Sequence, residues 1–106
     1  MRKSLMAIGF TLMCSVSTAH AEDIFVDQAD SRFSQALLTL KVGDTVHFRN
    51  KDTATHDIRI TEPSGSVDDK GLQKPGEDIV YTFDKPGEYQ VGCAIHTNMK
   101  LAVTVK

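Results

Sequence analysis

Residues 85–105 read Lys-Pro-Gly-Glu-Tyr-Gln-Val-Gly-Cys-Ala-Ile-His-Thr-Asn-Met-Lys-Leu-Ala-Val-Thr-Val. Tyr89, Val91 and Cys93 alternate with polar or small residues, and so do Leu101, Val103 and Val105. That is the period of two expected of half-buried β-strands. Lys85-Pro86-Gly87 is tight-turn chemistry, because Pro presets φ and Gly tolerates a positive φ; Val42-Gly43-Asp44 and Lys74-Pro75-Gly76 are similar. Working outward, the same alternation predicts strands over Ile24 to Val26, Leu37 to Val42, Thr45 to Arg49, His56 to Thr61 and Ile79 to Phe83. No helical stripe of apolar residues interrupts them. The fold class is therefore all-β, and the expected architecture is a Greek-key β-sandwich of about seven to eight strands. Glu62 to Lys74 carries mixed charge and no clean alternation, so it is expected to be a long connection crossing between sheets, as Greek-key topology requires.

A chain of 106 residues has room for one small domain, and 41% hydrophobic with 25% charged residues is ordinary for a folded protein. There is no excess of Lys and Arg to release counterions from a phosphate backbone, which sets nucleic acid aside as a partner. Residues 1–21 read as an export signal: Arg2 and Lys3, an apolar run from about Leu5 to Val16, and Ala19-His20-Ala21 as a cleavage site. Cys14 invites comparison with a lipid anchor, but Met13 before it is not a small residue. The domain is then 22–106, located in the periplasm. No apolar run in it is long enough to span a bilayer. Loss of Arg2 and Lys3 takes the net charge from −2 to −4. Cys93 is left as the only thiol, with no partner inside the chain for a disulfide.

Strand parity tells where the special residues point. Cys93 is in phase with Tyr89 and Val91 and faces the core, while Met99 is in phase with Leu101. His56 is in phase with Ile58 and Ile60 and opens an apolar face, whereas His47 points outward because Val46 and Phe48 take the inward positions. His96 lies between Cys93 and Met99 in the spacing Cys-x2-His-x2-Met. Each residue alone has a structural explanation: Met99 as core filler, Cys93 as an inert buried thiol, His56 as a satisfied histidine. Together a thiolate, two imidazoles and a thioether form a donor set that selects copper, provided the His56 strand lies beside the Tyr89 to Cys93 strand. Zinc is the competing metal, but structural zinc favours more thiolates and rarely takes methionine.

The pattern Leu40-x-Val42-Gly43-Asp44-x-Val46-x-Phe48, then His56-Asp57-Ile58, then Pro86-Gly87-x-Tyr89-x-Val91-x-Cys93-x-x-His96-x-x-Met99 resembles the cupredoxins, the small blue-copper electron-transfer family. The likeness covers nearly all of 22–106. It implies His56, Cys93 and His96 as equatorial ligands of one copper ion and Met99 as the axial ligand. Three departures stand out. Asp57 occupies a position usually held by Asn, and an ionised carboxylate there would favour the oxidised ion. Ile95 stands where members with short ligand loops carry Pro, and its N–H is a candidate donor to the cysteine sulfur, with the opposite effect on potential. The domain is also short for the family, so a strand or the usual helix-bearing connection is expected to be reduced.

The resemblance implies single-electron transfer through Cu(I) and Cu(II), with no bond of a substrate made or broken, and hence no enzyme. His96 is the expected exit for the electron, in a small apolar patch with Ala94, Ile95 and Pro75 where a partner docks transiently. A cytochrome c, a dehydrogenase or a membrane oxidase are the partner types expected, and a monomer is the expected state. The rival reading is an exported protein that buffers or delivers copper. The chain lacks the Met- or His-rich tracts that often mark such segments.

Overall fold

The computed structural model describes residues 20–106. The export signal expected over residues 1–21 therefore lies, except for its last two residues, outside the described residues. Nine strands and no helix occur among the described residues. They are β1 (Asp23–Ala29), β2 (Arg32–Phe33), β3 (Leu37–Leu40), β4 (Asp44–Asn50), β5 (His56–Thr61), β6 (Val67–Gln73), β7 (Asp78–Phe83), β8 (Gly87–Gly92) and β9 (Lys100–Val105).

Alternation in the sequence becomes two faces. In β4 every second residue is buried, so that Val46 and Phe48 enter the core while Thr45, His47 and Arg49 face outward. A four-stranded sheet runs β2-β1-β4-β7 and a five-stranded sheet β3-β9-β8-β5-β6. β1 pairs with β4 and β3 with β9 in parallel, and the other pairings are antiparallel. Val26, Val46, Phe48 and Phe83 from the first sheet meet Ile58, Ile60, Tyr89, Val91, Leu101 and Val103 from the second. This is the all-β sandwich read from the sequence, with the expected strands in place.

Two details depart from that reading. Glu62 to Lys74 is not a crossing connection: its second half is β6, hydrogen-bonded to β5 as a hairpin within one sheet. The crossing comes afterwards, through the short turn at Lys74-Pro75-Gly76-Glu77, where Glu77 N–H donates to Lys74 O. The strand is masked in sequence because it lies at the sheet edge and exposes residues on both faces, so burial imposes no alternation on it. The second departure is β2, two residues long, reached through Asp30 and Ser31 at φ 53° and 55°. Left-handed backbone without a glycine leaves little signature in a single sequence. Among the described residues there is no helix-bearing connection, and the strands number nine rather than the seven to eight expected.

Tyr89 Oη donates to Lys85 O at 2.9 Å and fastens the turn before β8 to the core. Gly87, the first residue of β8, has φ 137°, and a Cβ there would stand 2.5 Å from Pro63 Cγ. Both constraints hold β8 in register and deliver Cys93 to its end.

Candidate metal centre

His56 opens β5, and Cys93 follows the last residue of β8. β5 and β8 are neighbours, with Arg59 opposite Gly92 and Ile60 opposite Val91. That adjacency supplies the condition set by the sequence argument: two residues 37 apart in the chain arrive side by side. His96 comes from the connection between β8 and β9, where Met99 N–H donates to His96 O at 3.0 Å and closes a turn. Met99 itself is buried, 1% exposed, ahead of Leu101 on the core side.

The donor atoms converge. His56 Nδ1 lies 3.1 Å from His96 Nδ1, and Cys93 Sγ lies 3.9 Å from the first and 4.0 Å from the second. A triangle with these edges has its centre about 2 Å from each corner, the length of a metal–imidazole or metal–thiolate bond. His56 and Cys93 are buried and His96 is partly exposed, so the site is dry on two sides and reaches the surface on the third. Two imidazoles, a thiolate and a nearby buried thioether suit copper among the divalent metals, so the residues present fit that ion.

The remaining contacts orient these donors. His56 Nε2 lies 2.9 Å from Asp52 Oδ2. The Asp52 carboxyl is held down at about 2, first by the Ser31 N–H and then by the His56 ring, so it is an ionised acceptor at neutral pH. An ionised carboxylate only accepts, which places the ring proton of neutral His56 on Nε2 and turns the Nδ1 lone pair toward Cys93 and His96. Asp52 was not singled out from sequence. It lies four residues before His56, and that interval carries no meaning in an irregular loop.

Asp57 acts through its backbone and its side chain at once. Its N–H donates to Cys93 Sγ at 3.3 Å, rather than the Ile95 N–H considered from sequence. Ile95 is half exposed instead, at the outer rim of the loop. The Asp57 carboxyl is buried, and burial first, then the neighbouring Asp69 carboxyl, pushes it above the usual carboxylate range. The negative charge expected from Asp57 is thereby weakened, because loss of hydration and a like charge nearby both disfavour its ionised form. His47 stays outside the site, as its parity predicts: it stacks on Phe25 at 4.7 Å and meets Asp23 at 3.0 Å on the outer face of the first sheet.

Known proteins share the fold. The model for copper binding proteins of the plastocyanin/azurin family matches residues 20–106. Chloroplastic plastocyanin of Tetradesmus obliquus is 34% identical over 97 residues, 83% of this chain and 66% of that protein. The methylamine utilization protein MauL of Methylophilus methylotrophus is 31% identical over 70 residues, 64% of this chain and 40% of that protein. The chain thus spans less than two thirds of the length of either relative. Among solved structures, a Cu(I) variant of amicyanin superposes with a TM-score of 0.72 at 26% identity, over 78% of this chain and 81% of that one. Another, reduced at pH 4, reaches the same TM-score over 85% of this chain and 86% of its own. With a sandwich that brings two imidazoles and a thiolate to one point, and a family match running from residue 20 to the last, the chain belongs to the plastocyanin/azurin family of copper binding proteins.

Proposed function

We propose that residues 22–106 form a periplasmic electron carrier in which His56, Cys93, His96 and Met99 hold a single copper ion. The observation that carries this reading is the convergence of His56 Nδ1, His96 Nδ1 and Cys93 Sγ within 4.0 Å of one another at one end of a rigid sandwich. Bound copper supplies the chemistry, alternating between its +1 and +2 states. The chain supplies stillness. His56 starts a paired strand, and Cys93 directly follows one while accepting the Asp57 N–H. Donors fixed this way need little rearrangement when one electron arrives or leaves. With four donors assigned to one ion there is no vacant position for a substrate, which argues for transfer rather than catalysis.

His96 is the proposed exit, since it is the partly exposed member of the donor set and half-exposed Ile95 stands next to it. A redox protein such as a cytochrome c, a dehydrogenase or an oxidase docks there transiently, in contact with a monomer. An excess of acidic residues favours a partner with a positive docking face. The test is to load residues 22–106 with one equivalent of Cu(II) and record the visible spectrum beside Cys93→Ser. An intense band that vanishes in the variant supports the ligand assignment, and a pale spectrum indifferent to the substitution rejects it. Retention of the ion through repeated redox cycles then separates a carrier from a protein that delivers copper to an acceptor.

A further inference from the structure

The two-residue β1–β2 hairpin turn takes left-handed backbone at both of its central residues without a glycine. Asp30 and Ser31 both have φ near 55°, a region that glycine or asparagine normally fills in hairpin turns. What this conformation achieves is visible in the direction of one N–H. Ser31 N lies 2.9 Å from Asp52 Oδ2, and His56 Nε2 lies 2.9 Å from the same oxygen. A turn between two strands of one sheet thus meets, at a single atom, the carboxylate that orients the first histidine of the other sheet.

The rest of the loop is tied down around that atom. Asp52 N–H donates to Asn50 Oδ1 at 2.9 Å, and Thr53 N–H donates to Asp52 Oδ1 at 2.8 Å. Asn50 is buried, and its amide donates to Ala54 O and Gln73 O. Lys51 N–H donates to Gln28 O in β1, just ahead of the turn. The loop is therefore clamped between the two sheets, and the Ser31 N–H is its contact on the outer side.

We propose that the Asp30–Ser31 turn is a positioning element of the metal centre: the Ser31 backbone N–H holds Asp52 Oδ2 in line with His56 Nε2 and so sets the orientation and basicity of the His56 ring. The Ser31 side chain has no part in this, and the residue touches no donor atom. Sharing Oδ2 between two N–H groups draws charge from it and moderates its pull on the His56 proton. Without the Ser31 contact, Asp52 accepts more strongly from His56, the ring becomes a more basic donor, and the oxidised ion is favoured. The inference rests on His56 being a ligand, but its first link is independent of the metal.

The experiment uses two measurements. In metal-free protein, amide exchange of Ser31 is followed by NMR in wild type and Asp52→Ala. The relay requires exchange at Ser31 to accelerate by at least about tenfold in the variant, the scale set by losing a bond to a charged acceptor. Unchanged exchange removes the Ser31–Asp52 link and overturns the proposal. In copper-loaded protein made by semisynthesis, the Ser31 amide is replaced by an ester, which deletes that N–H alone. A lower reduction potential together with a shifted His56 Nε2–H resonance in the metal-free form is expected. If both stay at the wild-type values while stability falls, the turn is only a hairpin closure and the proposal is wrong. Failure to bind copper at all would strike the ligand assignment, while the exchange and resonance measurements would still decide the relay.

Discussion

Asp52 is the residue with the most leverage outside the donor set. Its carboxylate accepts hydrogen bonds from the His56 ring N–H and the Ser31 N–H on one oxygen. Asp52→Ala is expected to weaken copper affinity by about 10- to 100-fold, the range for losing such an orienting partner, measured by competition with a chelator of known affinity. Asp44 makes a different point. Its carboxylate accepts the Glu22 and Lys41 N–H groups at 3.0 and 2.9 Å, and the Lys41 bond chiefly holds it below the usual range. A group lowered on folding contributes stability that is full above the unfolded pKa of about 3.9 and is lost as pH falls through the folded value. Asp44→Asn should therefore flatten the fall in thermal midpoint below about pH 4. A midpoint that drops as steeply in the variant as in wild type would assign the acid limb to other carboxylates.

At the level of elements, the turn before β8 governs where Cys93 arrives. Gly87 combines a φ of 137° with a would-be Cβ only 2.5 Å from the Pro63 ring. Gly87→Ala is expected to cost about 1–3 kcal/mol from overpacking, with backbone strain in addition, read from the urea midpoint. A loss under half of that would mean that the Glu62 to Ser66 turn yields easily. The strand-level reading of the sequence succeeded wherever one face is buried, as in β4, β5, β8 and β9. It failed at β6, where the edge leaves Val67 and Leu72 exposed and neither parity dominates. Periodicity reports burial, and an edge strand with two wet faces has little to report.

For the whole molecule, the core is a single layer between two sheets, and Phe48, equalled only by Phe83, is the largest fully buried side chain among the described residues. Its ring meets Phe33 edge-on at 6.3 Å. Phe48→Ala should remove about 3–5 kcal/mol, a large share of what so small a domain possesses, as measured by denaturant unfolding of the metal-free protein. Restoration of part of that loss by saturating copper would show that metal binding and folding are linked in this chain, since a ligand that binds only the folded state stabilises it by mass action. The sandwich and the centre are one object in this sense: the same pairing of β5 with β8 closes the core and places His56 beside Cys93.

The sequence by itself determined the all-β class and most of the strands, because alternation is a local record of which face meets the core. It also determined the candidate donors, because Cys93, His96 and Met99 are spaced within one short loop and His56 shares the parity of Ile58 and Ile60. What only the tertiary structure decided are the contacts between segments distant in the chain. The Asp57 N–H on Cys93 Sγ, the Asp57–Asp69 carboxyl pair and the Ser31–Asp52–His56 relay all join residues from different strands or turns. Hydrogen bonds of this kind depend on ångström-scale placement after the sheets have packed, and no periodicity along the chain encodes them.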